Sequence, residues 1–357
     1  MARWIAIVAI LVGAPAIQAP DRNVPPKGRV VVLLAEGRLQ LIDVASGDKA
    51  VDFVASGVKR HALQYGRLAR AEGTDEVFAI LPDGTVPVLV SLNVGTGSAR
   101  SVGRLKLDQF LARSSDQFWG LAVGQQTGWV YAFSHVDATV LVLNPKTAEV
   151  LTRFAAGSGE TVMAGAVSPD ERRIFVTYHG HATGIEAFDV EGGSSRPAFY
   201  VPSHGNFAQL ENTLLATTGG PELIEINRAG ETVRSRSSLL TQSHQMELAL
   251  SRDRKTAYFT GSCSYGGGFS RLDMTPGATA SVLVPSGDTS VCGERLSVSA
   301  GGTWVAIASV GFTNAIEGGS IPRTDRPGRI LIVDAATGAI LRDMPTTTDV
   351  VDVLAVK

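Results

Sequence analysis

Cysteine is scarce in this chain. There are 2 in 357 residues, Cys263 in "GSCSYGGG" and Cys292 in "SVCGERL". Neither forms a CxxC or CxxCH motif, which excludes a redox dithiol and covalent haem attachment. Aromatic residues are few, at 6 %. A marked excess of charge of one sign is absent too, with 32 Lys+Arg against 34 Asp+Glu. The formal net charge is −2 and no Lys/Arg run occurs, so no electrostatic footprint points to nucleic acid or an anionic membrane. Beyond the N-terminus no apolar run is long enough to cross a bilayer. The HExxH, calcium-loop, Cys/His zinc, P-loop and GxSxG patterns are all missing. Any catalytic group must therefore be assembled from residues distant in sequence.

The N-terminus carries a recognisable export pattern. Arg3 supplies a positive start, "WIAIVAILV" (4–12) an apolar core, and "GAPAIQAP" small residues for cleavage near Ala16 or Ala19. Residues 1–19 are expected to be a signal peptide and 20–27 a linker. No cysteine follows the apolar core, so a lipid anchor there is not expected. A soluble protein in the periplasm or outside the cell follows from this pattern. No membrane insertion of the mature chain and no nucleic-acid partner are expected, and the chain is expected to be a monomer.

What is abundant is glycine, with 39 copies, which suits short strands and tight turns. One pattern recurs: an apolar strand, Asp or Asn, a few residues, then Gly. It occurs as "LIDVASG", "SLNVGTG", "VLNPKTA", "AFDVEGG", "EINRAG", "RLDMTPG" and "IVDAATG", with the Asx at 43, 93, 144, 189, 227, 273 and 334. The third copy has Ala148 in place of Gly and the fifth is one residue shorter. The Asx side chain accepts from its own backbone ahead, and the glycine tolerates positive φ. The intervals scatter around the ~40–50 residues of a four-stranded propeller blade. A second turn type precedes another apolar strand in "AVSPDERR", "ALSRDRK" and "SVSAGGTW". The unit is strand a, turn, strand b, loop, strand c, Asx-Gly turn, strand d. The chain enters this series at "RVVVLL", a b strand, and leaves at "DVVDVLAVK" (349–357), an a strand. An all-β, seven-bladed propeller over 28–357 is expected, its ring closed by the C-terminal strand completing the first blade.

"GAVSPDERRIFVTYHG" with "GIEAFDVEGG", and "GRILIVDAATGAIL" near the end, resemble the secreted YVTN-type seven-bladed β-propellers. That superfamily includes lactonase-like, cytochrome d1-like and amine-dehydrogenase-like members. The resemblance covers about residues 28–357 and implies the fold. It implies little about function, because propellers host many activities.

In a propeller the b–c and d–a loops share one face. All 6 histidines map to it. His61, His204 and His244 lie at or just before a strands. His135, His179 and His181 lie in b–c loops and are weak candidates for metal ligation, so a transition metal is the cofactor to test. Arg60, Glu294, Arg295 and Asp349 share this rim and, with His61, His204 and His244, form the candidate ligand site at the channel mouth. A long b–c segment, 310–328, lies on the same face as a lid or an excursion. Cys263 and Cys292 fall in loops of that rim and, with export, are expected to form a disulfide. Two function classes follow: a module binding a small molecule or protein at this face, or a propeller enzyme of lactonase or oxidoreductase type with a His-rich mouth. The absence of strong catalytic motifs favours the binding module.

Overall fold

In a computed structural model the described residues form 28 strands in seven four-stranded antiparallel sheets. The structure describes residues 26–54, 67–71, 73–83, 86–105, 119–134, 139–155, 161–179, 184–191, 194–202, 206–210, 213–217, 222–237, 239–240, 246–261, 266–288, 290–293, 295–309 and 328–356. Each sheet is one blade. Blade 1 pairs Val350–Val356, Arg29–Leu34, Arg38–Asp43 and Lys49–Val54, from inner to outer strand. The C-terminal strand thus lies beside the first strand of the chain, with Val31 opposite Leu354, and the ring is closed as the repeat count required. Blades 2 to 7 follow in chain order, their inner strands being Ala69–Arg70, Trp119–Val123, Thr161–Val167, Phe207–Gln209, Met246–Leu250 and Arg295–Val298.

The apolar b and c strands lack polar alternation because both of their faces are covered. In Arg29–Leu34, Val31 and Leu33 pack against blade 2, whereas Val30, Val32 and Leu34 pack against blade 7. Every blade interface holds one such cluster, seven in all. The core is therefore a ring of wedges rather than a single centre. Outer strands have only one covered face and alternate accordingly, as in Lys49–Val54 and Thr232–Ser237.

The turns behave as the repeats predict, with one exception. Asp43 accepts from Ser46 N at 3.0 Å, and Gly47 takes φ 80°. Asn93 and Asp334 repeat this with Thr96 N (2.8 Å) and Thr337 N (2.7 Å). Ala148, in the glycine position of the third copy, adopts φ 60° despite its side chain. The exception is the fourth copy. Asp189 lies within strand Gly184–Glu191 opposite Arg196, and its carboxylate receives Arg173 at 2.5 and 2.7 Å. The shortened fifth copy closes one residue early, with Gly230 N donating to Asn227 O at 3.1 Å.

The a–b turns also repeat. In "SPDERR" Ser168 Oγ donates to Asp170 at 2.5 Å and accepts from Arg173 N at 2.9 Å; in "SRDRKT" Ser251 does the same with Asp253 and Thr256 N at 2.7 and 3.0 Å. Glu171, at φ 54°, reaches from blade 4 to blade 3 and accepts from Gln126 N, Thr127 N and Thr127 Oγ1 at 2.6, 2.8 and 2.6 Å. Gly124 makes room for it: a β-carbon there would lie 2.5 Å from the Glu171 carboxylate.

Candidate functional site at the channel mouth

The inner strands begin at the face of the b–c and d–a loops. Near those beginnings, four charged residues from four blades come together. Glu247 is the second residue of the inner strand Met246–Leu250 of blade 6, and Arg295 opens the inner strand of blade 7. Asp352 is the third residue of Val350–Val356 in blade 1, and Arg67 stands just before Ala69–Arg70 in blade 2. Ring closure makes blades 6, 7, 1 and 2 consecutive.

The Arg295 guanidinium pairs closely with Glu247 Oε1, and Arg67 stands 3.9 Å from the same oxygen. Side-chain exposure is only 13, 11 and 17 % for Arg295, Glu247 and Arg67. Asp352 is buried. Its Oδ2 accepts from Leu68 N at 2.7 Å, a bond from blade 2 back to blade 1, and its Oδ1 accepts from Val353 N at 2.9 Å. Ser297 Oγ accepts from Ala355 N at 2.9 Å and ties the inner strands of blades 7 and 1.

Burial dominates the electrostatics. It pushes the Asp352 carboxyl above the usual carboxylate range, against the pull of Arg67 and Arg295. It lowers the Arg67 guanidinium, with repulsion from Arg295 adding to that effect and Glu247 and Asp352 opposing it. Two cations and two anions thus share a poorly hydrated space. Buried charges of this kind cost stability unless paired, and an apolar plug would close a ring as well. Such a set provides donors and acceptors in fixed directions, suited to a polar ligand. It contains no thiol or hydroxyl nucleophile.

Of the residues expected at this mouth, Arg295 takes part in the set. Asp349 approaches the last strand half-buried, and its carbonyl accepts from Ala35 N at 3.0 Å. The carboxylate that Arg295 meets is Glu247, which sequence reasoning passed over, as it did Arg67 and Asp352. A signal existed: Glu247 in "QMELALS" and Asp352 in "DVVDVLAVK" are charges interrupting otherwise apolar inner strands. Arg60, His61, His135, His181, His204, His244, Glu294 and most of 310–328 lie outside the described residues. His179 ends strand Arg173–His179, its backbone opposite Thr161. Among the described residues no three histidine, cysteine or carboxylate groups converge as a metal site. Cys292 is buried, and Cys263 lies outside the described residues. Even so, Gly293 N donates to Gly261 O at 3.2 Å and Gly268 N to Val291 O at 3.0 Å, so the two loops that carry the cysteines run side by side.

No family model and no curated protein matches the sequence. Solved structures do match. A 6-phosphogluconolactonase-like protein from Bacteroides uniformis has a TM-score of 0.63 at 14 % identity, covering 92 % of this chain and 99 % of that one. A second, from Bacteroides fragilis, gives 0.63 at 12 %, covering 93 and 98 %. The β-propeller domain of Swd1 from Myceliophteria thermophila gives 0.58 at 11 %, covering 80 and 86 %. Identities this low speak for fold and not for chemistry. Seven closed blades and these likenesses make the chain a seven-bladed β-propeller.

Proposed function

We propose that this protein is an exported binding module that receives a polar, anionic small molecule at the channel mouth. The observation that carries this reading is the convergence of Arg67, Glu247, Arg295 and Asp352 from four blades onto one poorly hydrated spot. A guanidinium released from a shared carboxylate is well suited to a carboxylate or phosphate on a ligand. His61, His204, His244 and Arg60 precede inner strands in the sequence and are proposed to complete the ligand contacts. Export rests on the N-terminal pattern, and with it a Cys263–Cys292 bond across the neighbouring loops of blades 6 and 7. Labelling by a thiol reagent without reductant would remove that bond from the proposal.

A second reading has one observation in its favour. Two of the similar structures are 6-phosphogluconolactonase-like proteins aligned over nearly their whole length. Under that reading the mouth would take a sugar lactone and hydrolyse it. One experiment addresses both. The mature protein is titrated with 6-phosphogluconate by calorimetry, and its turnover of the corresponding lactone is followed by NMR. Saturable binding that weakens about tenfold or more in Arg295→Ala, without turnover, supports the binding module. Turnover abolished by the same substitution supports the enzyme. Neither binding nor turnover would overturn a sugar-acid site at this mouth.

A further inference from the structure

A recess lies on the opposite face, where the a–b and c–d turns emerge. It is a cleft of about 650 Å³ between blades 4 and 5, within the range of small-molecule sites. Its walls carry four arginines, Arg172, Arg173, Arg196 and Arg228, against two carboxylates, Asp170 and Asp189. Its floor is apolar, including Phe175, Leu214 and Ile226.

The two carboxylates are already committed. Asp189 holds Arg173, and Asp170 accepts from Ser168 Oγ at 2.5 Å and Arg172 N at 3.3 Å. Arg173 is also committed, donating to Arg228 O at 2.5 Å and lying 5.8 Å over the Phe199 ring. Arg228 stands 3.8 Å from Asp170 with its side chain 60 % exposed, a loose contact. Arg172 and Arg196 are exposed, and their guanidinium groups have no hydrogen bond or ion pair among the described residues. The cleft therefore presents cationic charge in excess above an apolar floor.

The position of Arg196 sharpens this. It is the third residue of the outer strand Ser194–Pro202. Arg196 is paired with Asp189 itself, whereas Arg342 of blade 7 is paired with Ile332, two residues before Asp334, and donates to Val44 O at 2.9 Å and Ser46 O at 2.6 Å in the next blade. At the register of Arg342, blade 4 carries Phe199, which packs against Gly230 of the neighbouring turn, and Arg196, nearer its own turn, lines the cleft. One of the two c–d turns bordering this cleft is the shortened Asn227 turn, closed by Gly230 N donating to Asn227 O.

We propose that the cleft between blades 4 and 5 binds a small organic anion, a phosphate- or carboxylate-bearing molecule with an apolar body. Arg172, Arg196 and Arg228 would hold the anionic group, and Phe175, Leu214 and Ile226 would receive the body.

Calorimetric titration with phenyl phosphate tests this, with inorganic phosphate and benzyl alcohol as the two halves of the probe. Phenyl phosphate is expected to bind saturably and more tightly than either half. Affinity should fall with added salt. The double variant Arg172→Ala/Arg196→Ala should lose about tenfold or more, while Arg172→Lys/Arg196→Lys retains part of the binding. Both side chains are exposed, so thermal unfolding of the variants should match the parent. Arg295→Ala should leave this binding unchanged, which separates it from the channel mouth. Absence of saturable binding, or binding unchanged in the double alanine variant, would overturn the proposal. Loss of binding in Arg295→Ala alone would overturn it as well, by assigning the anion to the other face.

Discussion

Two seams between blades contrast sharply. Between blades 7 and 1 the ring is sewn shut. Trp304 is buried there with Val30, Val32, Ile330 and Ile332, and its Nε1 donates to Lys27 O at 3.3 Å. Arg342 covers the next blade's Asx turn by donating to Val44, Ala45 and Ser46 carbonyls. Between blades 4 and 5 the apolar packing of Phe175, Phe199 and Phe207 is present, but the turn face above it stays open. Arginine-to-turn bonds recur elsewhere: Arg29 donates to Val94 O at 3.1 Å and Arg236 to Asp273 O at 3.0 Å. The device recurs around the ring and is present between blades 4 and 5 as well, where Arg173 donates to Arg228 O. What distinguishes that seam is that Arg172, Arg196 and Arg228 still line an open cleft beside the bond.

The contrast can be broken experimentally. The largest effect should come from deleting residues 350–356, which removes the inner strand of blade 1 and uncovers Val30, Val31 and their neighbours. Loss of cooperative unfolding and aggregation in size-exclusion chromatography are expected. A soluble monomer with the parent's circular dichroism would show that closure contributes nothing.

Next come two arginines of outer strands. Arg342→Ala strands several turn carbonyls and should cost about 1–3 kcal/mol, read from denaturant midpoints. Arg196→Ala, with no described partner, should stay within about 0.5 kcal/mol. Equal costs would erase the distinction between the sewn and the open seam.

The smallest effect concerns the Glu171 clasp between blades 3 and 4. Burial alone would raise this carboxyl. The hydrogen bonds from Thr127, Gln126 and Tyr131 outweigh burial and hold it below its ordinary range. A carboxyl depressed in the folded state stabilises above its unfolded pKa, and that stability is lost as pH falls through the folded value. Glu171→Gln should therefore lower the Tm most at neutral pH. The gap to the parent should narrow as pH falls below about 4. A gap that is constant with pH would mean the carboxylate charge is irrelevant to the clasp.

How far the sequence could be read depended on the range of each interaction. The Asx turns at Asp43, Asn93 and Asp334 were legible because donor and acceptor are within a few residues. The a–b turns of Ser168 and Ser251 were legible for the same reason. That Asp189 also holds Arg173 of the adjacent strand was not legible, because the partner lies 16 positions away. The channel-mouth set was half seen. Arg295 stood out in "CGERLSVS", but its carboxylate partner sits 48 positions away on another blade. The cleft between blades 4 and 5 was not seen at all, although the shortened "EINRAG" turn marked one of its edges.

The sequence by itself determined the repeat, the number of blades, the two kinds of turn and the closure of the ring. All of these rest on local hydrogen bonding and on apolar runs covered from both sides. Tertiary structure alone decided which charges meet. Glu247, Arg295, Asp352 and Arg67 are brought together by the circular order of blades, and Arg172, Arg196 and Arg228 by one seam. Coulomb interactions depend on distance in space, and a ring places first and last residues side by side where the chain places them farthest apart.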